Sequence, residues 1–235
     1  MKFLLSNQSS HVSAIQCAAI AASCQAQLRQ HVDPAWEFST SSVGVLPSAA
    51  LVRAAIFKRS VVIVIKDSLS VDGALGDHSV DDSGFPIAEI GVQETLADGG
   101  TILGPNGLGS VISHEILETR GDEFISTWDD APDGTQWAHE LCDAVEGDSY
   151  LCNGVWVSNF VKPAFFDQYA HGEVTGAKFD YLGKLSSPFS LAPGGYTVVK
   201  HQDGSIDQVF GAQVSEAKQE KIRKRRRVHL RSIAL

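Results

Sequence analysis

The chain has 235 residues, 43% hydrophobic and 20% charged, with a formal net charge of −9. That suffices for one large or two small domains with a buried core, and the composition excludes a collagen, a coiled coil and a disordered chain. The charge is uneven. Residues 218–235 hold eight Lys or Arg against one Glu, a net of +7, which leaves −16 on residues 1–217. A body that acidic is not expected to bind nucleic acid by itself, whereas the basic tail suits a phosphate backbone or an acidic protein surface.

No apolar run approaches the roughly 18 residues that a membrane-crossing helix needs. The apolar start at residues 1–5 stops at Ser6-Asn7-Gln8. It is shorter than the ~7–15 residues of a secretory h-region, so no export by that route is expected. In residues 11–31, Ile15, Cys17, Ala18, Ala22 and Leu28 can share one face at helical spacing. This predicts a first helix that ends before Asp33-Pro34. The β-branched run 61–65 predicts a buried strand. Residues 73–86, rich in Gly and Asp and carrying His78, suggest a loop. Residues 87–92 alternate as a second strand, and the Gly-rich stretch 98–109 is a connection. Residues 110–120 then read as a helix with Ser110 or Ser113 as its cap.

After Gly121 the chain turns acidic and irregular, and Trp128, Trp137 and Pro132-Asp133-Gly134 suggest a long loop. Residues 155–160 and 196–199 read as strands, and Val209-Phe210 as the close of a last hairpin. The four cysteines, Cys17, Cys24, Cys142 and Cys152, form no CxxC pair. They are expected to be reduced and mostly buried. The sum is a single mixed α+β domain over residues 1–214, followed by a basic arm over 215–235.

The chemistry concentrates in Ser113-His114-Glu115-Ile116-Leu117-Glu118-Thr119-Arg120-Gly121-Asp122. Residues four apart share a helical face, so His114 and Glu118 project side by side. An imidazole nitrogen and a carboxylate oxygen are both good zinc ligands. Glu115, turned about 100° away, is placed to take a proton from water rather than to bind the ion. That is the division of labour in HExxH zinc peptidases. Gly121 permits a left-handed turn that would end the helix and bring Asp122 back. On a continued helix Asp122 would lie about 12 Å along the axis from His114, too far to share an ion. Downstream, Glu140 and Asp143 on one helical turn would supply a third ligand or hold His114 from behind. His78 is a further candidate for either role. One His with several carboxylates suits zinc, and calcium or manganese as alternatives.

Two resemblances attach to these residues. His114 to Gly121 reads HExxExxG and resembles the HExxHxxG active helix of the metzincins, a group of the zincin metallopeptidases. The likeness covers roughly residues 60–165. It implies a zincin-like fold, with the strand at 87–92 in the place of the substrate-binding edge strand. Glu118 replaces the second His, Phe124 stands at the third, and Met1 is the only methionine, so there is no Met-turn.

Nearly the whole chain is similar to a family of proteins, of no assigned activity, from tailed phages and bacterial prophage-like regions. The similar features are Asp33-Pro34-Ala35-Trp36, Leu75-Gly76 with His78, the 113–122 motif, Glu140 with Cys142-Asp143, 157–161 with 163–166, and Gly194-Gly195-Tyr196. The resemblance implies a virion-associated structural protein, made in the host cytoplasm, with a metal-braced core. Its basic arm (Arg223, Lys224, Arg225, Arg226, Arg227) would dock on other virion proteins or near DNA. The alternative is an active zinc metallopeptidase with Glu115 as general base.

Overall fold

Residues 61–66 carry five β-branched residues in a row, and both faces of the strand they form are covered. In the computed structural model, which describes residues 1–69, 75–81, 84–170, 178–217 and 219–220, this is β3 (Val61–Lys66). It is central to a five-stranded sheet with β1 (Lys2–Asn7), β2 (Ser42–Val45), β4 (Gly76–Val80) and β5 (Pro86–Gly91). The order is β2-β1-β3-β5-β4. The first four strands are parallel, and β4 runs antiparallel at the edge. Val61, Ile63 and Ile65 face the main core, while Val62 and Val64 face a smaller cluster with Ala55 of helix α3 (Val52–Phe57). A two-faced strand of this kind has no polar side, which explains the continuous apolar run.

The sequence-based limits need several corrections. Helix α1 spans Ala14–Gln27, opened by a capping box between Ser13 and Gln16. Its buried face is Cys17, Ile20, Ala21 and Cys24, continued by Leu28, while Ile15, Ala18 and Ala22 are exposed. The helical path does not stop before Asp33-Pro34. It widens into a π turn at Leu28–Val32 and runs into α2 (Asp33–Ala35), where Pro34 sits in the first turn and its missing N–H is not needed. His78 is not in a loop: Gly76 and His78 alternate inward along β4. Consequently β5 is an interior strand, and β4 occupies the edge.

Helix α4 (Val92–Ala97) follows β5, and α5 (Leu108–Gly121) carries the HExxE motif. Neither Ser110 nor Ser113 caps α5; Gly107 does, without a side-chain bond. The Ser113 hydroxyl instead donates to Ser110 O (3.0 Å) and accepts from Ser158 N (2.7 Å), tying the helix to a strand 45 residues further on.

The acidic stretch after α5 is also ordered into short strands, β6 (Trp128–Asp130) and β7 (Gln136–Ala138). They join β10 (Tyr196–Lys200) and β11 (Ile206–Phe210) in a four-stranded antiparallel sheet, while β8 (Ser149–Cys152) and β9 (Val155–Ser158) form a hairpin. Trp137, Val145, Phe165, Phe179 and Val199 make a second apolar core under this region. All four cysteines are free and buried. Most of the basic arm, including Arg223, Lys224, Arg225, Arg226 and Arg227, lies outside the described residues.

Candidate metal centre

Helix α5 is buried nearly all round, and its two sides differ in chemistry. Ile112, Ile116 and Leu117 join the main core. His114, Glu115 and Glu118, at 7%, 1% and 2% exposure, face a polar cluster instead. Strand β4 brings His78 to the same place, because the antiparallel ladder with β5 pairs it with Ala88 and turns it inward. Gly76 makes room: a Cβ there would lie 2.5 Å from Glu115 Oε1.

The third contributor is the segment 139–145, and its anchors explain how it reaches the helix. His139 Nδ1 donates to Asp129 (2.6 Å), and its ring stacks on Phe166 at 4.4 Å. Val161 N donates to Leu141 O (2.7 Å). The Leu141 side chain packs against Gly121, where any Cβ would overlap it. Gly121 is therefore required for close packing and not for a left-handed turn: it is the last helical residue, and Asp122 follows with φ −135°. Residues 140 and 143 share no helical turn. Only Asp143–Val145 form a 3-10 turn, and Glu140 precedes it.

These elements bring two His and four carboxylates together. His114 Nε2 lies 2.8 Å from Glu118 Oε1 and 3.3 Å from Asp143 Oδ1. His78 Nδ1 lies 3.1 Å from Glu115 Oε2 and 3.3 Å from Glu118 Oε2, with Glu140 Oε2 3.8 Å from its other nitrogen. Two groups, His78–Glu115–Glu118 and His114–Glu118–Asp143, each have donor atoms within 4.8 Å of one another and can hold a metal ion. Ligands of one zinc ion, bound at about 2.0–2.2 Å, meet that spacing. Glu118 Oε1 and Asp143 Oδ1 are buried and, among the described residues, accept no hydrogen bond. At 2.8 Å from an imidazole nitrogen, Glu118 Oε1 fails on direction, not on distance. An oxygen placed like this normally costs about 1–3 kcal/mol, and a cation would satisfy it.

The electrostatics show the same tension. Burial pulls both imidazoles toward neutrality, but the surrounding carboxylates, Glu140 foremost at His78 and Glu118 at His114, outweigh it and hold both above the usual range. Burial, then Glu118, pushes Asp143 up to about 7 and also raises Glu140. Burial opposes ionisation of Glu118 too, yet His114 keeps it well below the ordinary carboxylate range.

Among the residues singled out from sequence, His114, Glu118 and Asp143 fall in one group. Asp122 is in neither group: its Oδ2 accepts from Ser126 N (2.7 Å) and Thr127 N (2.6 Å) and fixes the turn after the helix. Glu115 sits among potential ligands at His78, not only beside His114. Gly76 and His78 alternate inward while Val80 is exposed, so the sequence held only a weak signal for a strand carrying an inward His.

Searches against family models, curated proteins and solved structures find no match to this chain.

Proposed function

We propose that the cluster is a zinc centre that braces the fold, joining β4, α5 and the 139–145 segment, in a protein whose role is architectural. The observation that carries this reading is closure. The His78, His114, Glu115, Glu118 and Asp143 side chains are at most 9% exposed. Structural metal sites are closed by protein ligands, whereas catalytic sites keep a position open. Two imidazoles favour zinc over calcium, which prefers six to eight oxygen ligands. The wider proposal, a phage virion component that docks through residues 218–235, is supported by the whole-chain resemblance and by the opposed charges of body and arm.

Metal analysis of the purified chain beside His114→Ala tests the centre. Zinc in the wild type that falls in the variant is the expected result; a metal-free wild type overturns it. Deletion of 218–235 should abolish incorporation into particles while leaving the metal content unchanged.

The second reading, a zinc metallopeptidase, is favoured by one observation. Glu115 directly follows His114 and is held in the cluster, where it can accept a proton from an attacking water. Cleavage of unfolded casein that disappears in Glu115→Gln would establish it, and no cleavage by the zinc-loaded protein would remove it.

A further inference from the structure

We propose that the cluster takes two divalent transition-metal ions, bridged by the Glu118 carboxylate. This rests on the metal-centre reading and adds to it a second ion, on the side of His78.

The geometry of Glu118 is the first ground. Its two oxygens serve different imidazoles: Oε1 faces His114 Nε2 at 2.8 Å, and Oε2 faces His78 Nδ1 at 3.3 Å. A carboxylate that belonged to one ion would turn both oxygens, or its nearer one, toward a single point. Here they diverge into the two donor groups, which have Glu118 as their one common member. Each group has an imidazole of its own and a second carboxylate of its own, Glu115 with His78 and Asp143 with His114. A bridging carboxylate holds two ions roughly 3.5–4 Å apart, the spacing of two-metal sites.

Buried oxygens supply the second ground. Among the described residues, Glu118 Oε1 and Asp143 Oδ1 accept no hydrogen bond, and their side chains are 3% and 8% exposed. They aim into the His114 side of the cluster. Glu140 Oε2 lies 3.8 Å from His78 Nε2, the ring nitrogen away from Glu115 and Glu118, and Glu140 is in neither donor group. The Glu118 and Asp143 oxygens argue for the ion at His114, and the second ion rests on the divergence of the Glu118 oxygens into the His78–Glu115–Glu118 group.

Charge supplies the third. Among the described residues, no Lys or Arg forms an ion pair with Glu118, Glu140 or Asp143. Among those residues their ion pairs are with His78 and His114 alone, and each imidazole would give up that role on binding a metal ion. With Glu115, four carboxylates and two neutral imidazoles match two divalent ions.

The test uses the full-length, untagged protein, first stripped and then loaded with zinc or manganese alone. Expected are two equivalents in the wild type and about one in each of His78→Ala and His114→Ala. With manganese, the wild type should give the spectrum of a magnetically coupled pair, and each variant that of an isolated ion. The wild-type stoichiometry needs no variant to fold, and His78→Asn and His114→Asn serve if the alanine variants do not. One equivalent in the wild type, lost in His114→Ala and kept in His78→Ala, overturns the second ion and leaves the single-ion centre standing. Two equivalents without coupling overturn the bridge. No bound metal overturns both this inference and the centre it rests on.

Discussion

Helices α1 and α5 have the same length and open differently. Ser13 and Gln16 cap α1 from both sides, and one face is buried while Ile15, at 83% exposure, stands in solvent. Helix α5 has no capping side chain, yet eleven of its fourteen residues are buried, three of them the ionisable His114, Glu115 and Glu118. Local signals and one apolar stripe explain α1. Helix α5 is held by what surrounds it, and among the described residues Glu118 Oε1 finds no hydrogen-bond donor there. In the first helix, sequence-local physics is enough; in the second, the environment must come from distant segments, and the proposed cation would complete it.

The largest effect that separates the two should come from metal removal. A ligand at a thousandfold its Kd stabilises by about 4 kcal/mol, and at this size each kcal/mol is worth ~2–4 °C. Stripping zinc should therefore lower Tm by about 8–16 °C, measured by calorimetry with and without a chelator. An unchanged Tm would leave α5 no more dependent on its surroundings than α1.

Next comes Gly121→Ala. The methyl group would overlap Leu141, and overpacking of this kind costs about 1–3 kcal/mol. Because Leu141 lies two residues from Asp143, zinc content should fall along with Tm. A drop in Tm with full metal content would uncouple the helix end from the centre.

Acid should weaken metal binding in a defined direction. A ligand must lose its proton to bind, and Asp143 is pushed up to about 7 by burial and Glu118. Its proton is bound below that value and must be released on metal uptake. Affinity should thus fall roughly tenfold from pH 8 to pH 6 for that proton alone, and titration calorimetry in two buffers would count the protons released.

The smallest effects belong to α1. Ser13→Ala should cost about 1 kcal/mol through the lost cap, and Ile15→Ala should stay within about 0.5 kcal/mol. Neither should alter metal content. A loss of zinc in either would show that the two helices are coupled more tightly than their packing suggests.

The elements that local pattern defines were legible in the sequence. Residues 61–65 have one reading, and the spacing of His114 and Glu118 places them together on any helix. What escaped depended on partners far along the chain. On α1, Ile15, Ala18 and Ala22 fit a helical stripe as well as Ile20 and Cys24 do; only the position of the sheet decides which stripe is covered. His78 read as a loop residue because its Gly- and Asp-rich surroundings have weak strand propensity, which pairing with β5 overrides. Gly121 looked like a helix stop, since sequence cannot show that Leu141 occupies the space where its side chain would be. The two-sided use of Glu118 has no sequence signature, because the second imidazole arrives 40 residues earlier, from the edge of a sheet.

The sealing of the cluster has a kinetic consequence. With every donor in the two groups at most 9% exposed, an ion bound there would exchange with solution only when β4 or the 139–145 segment swings away, a local opening far rarer than side-chain motion at a surface. Removal by a chelator then proceeds at the rate of that opening and stops responding to chelator concentration. On the metal-centre reading, two preparations of identical sequence should differ according to the metal each met while folding.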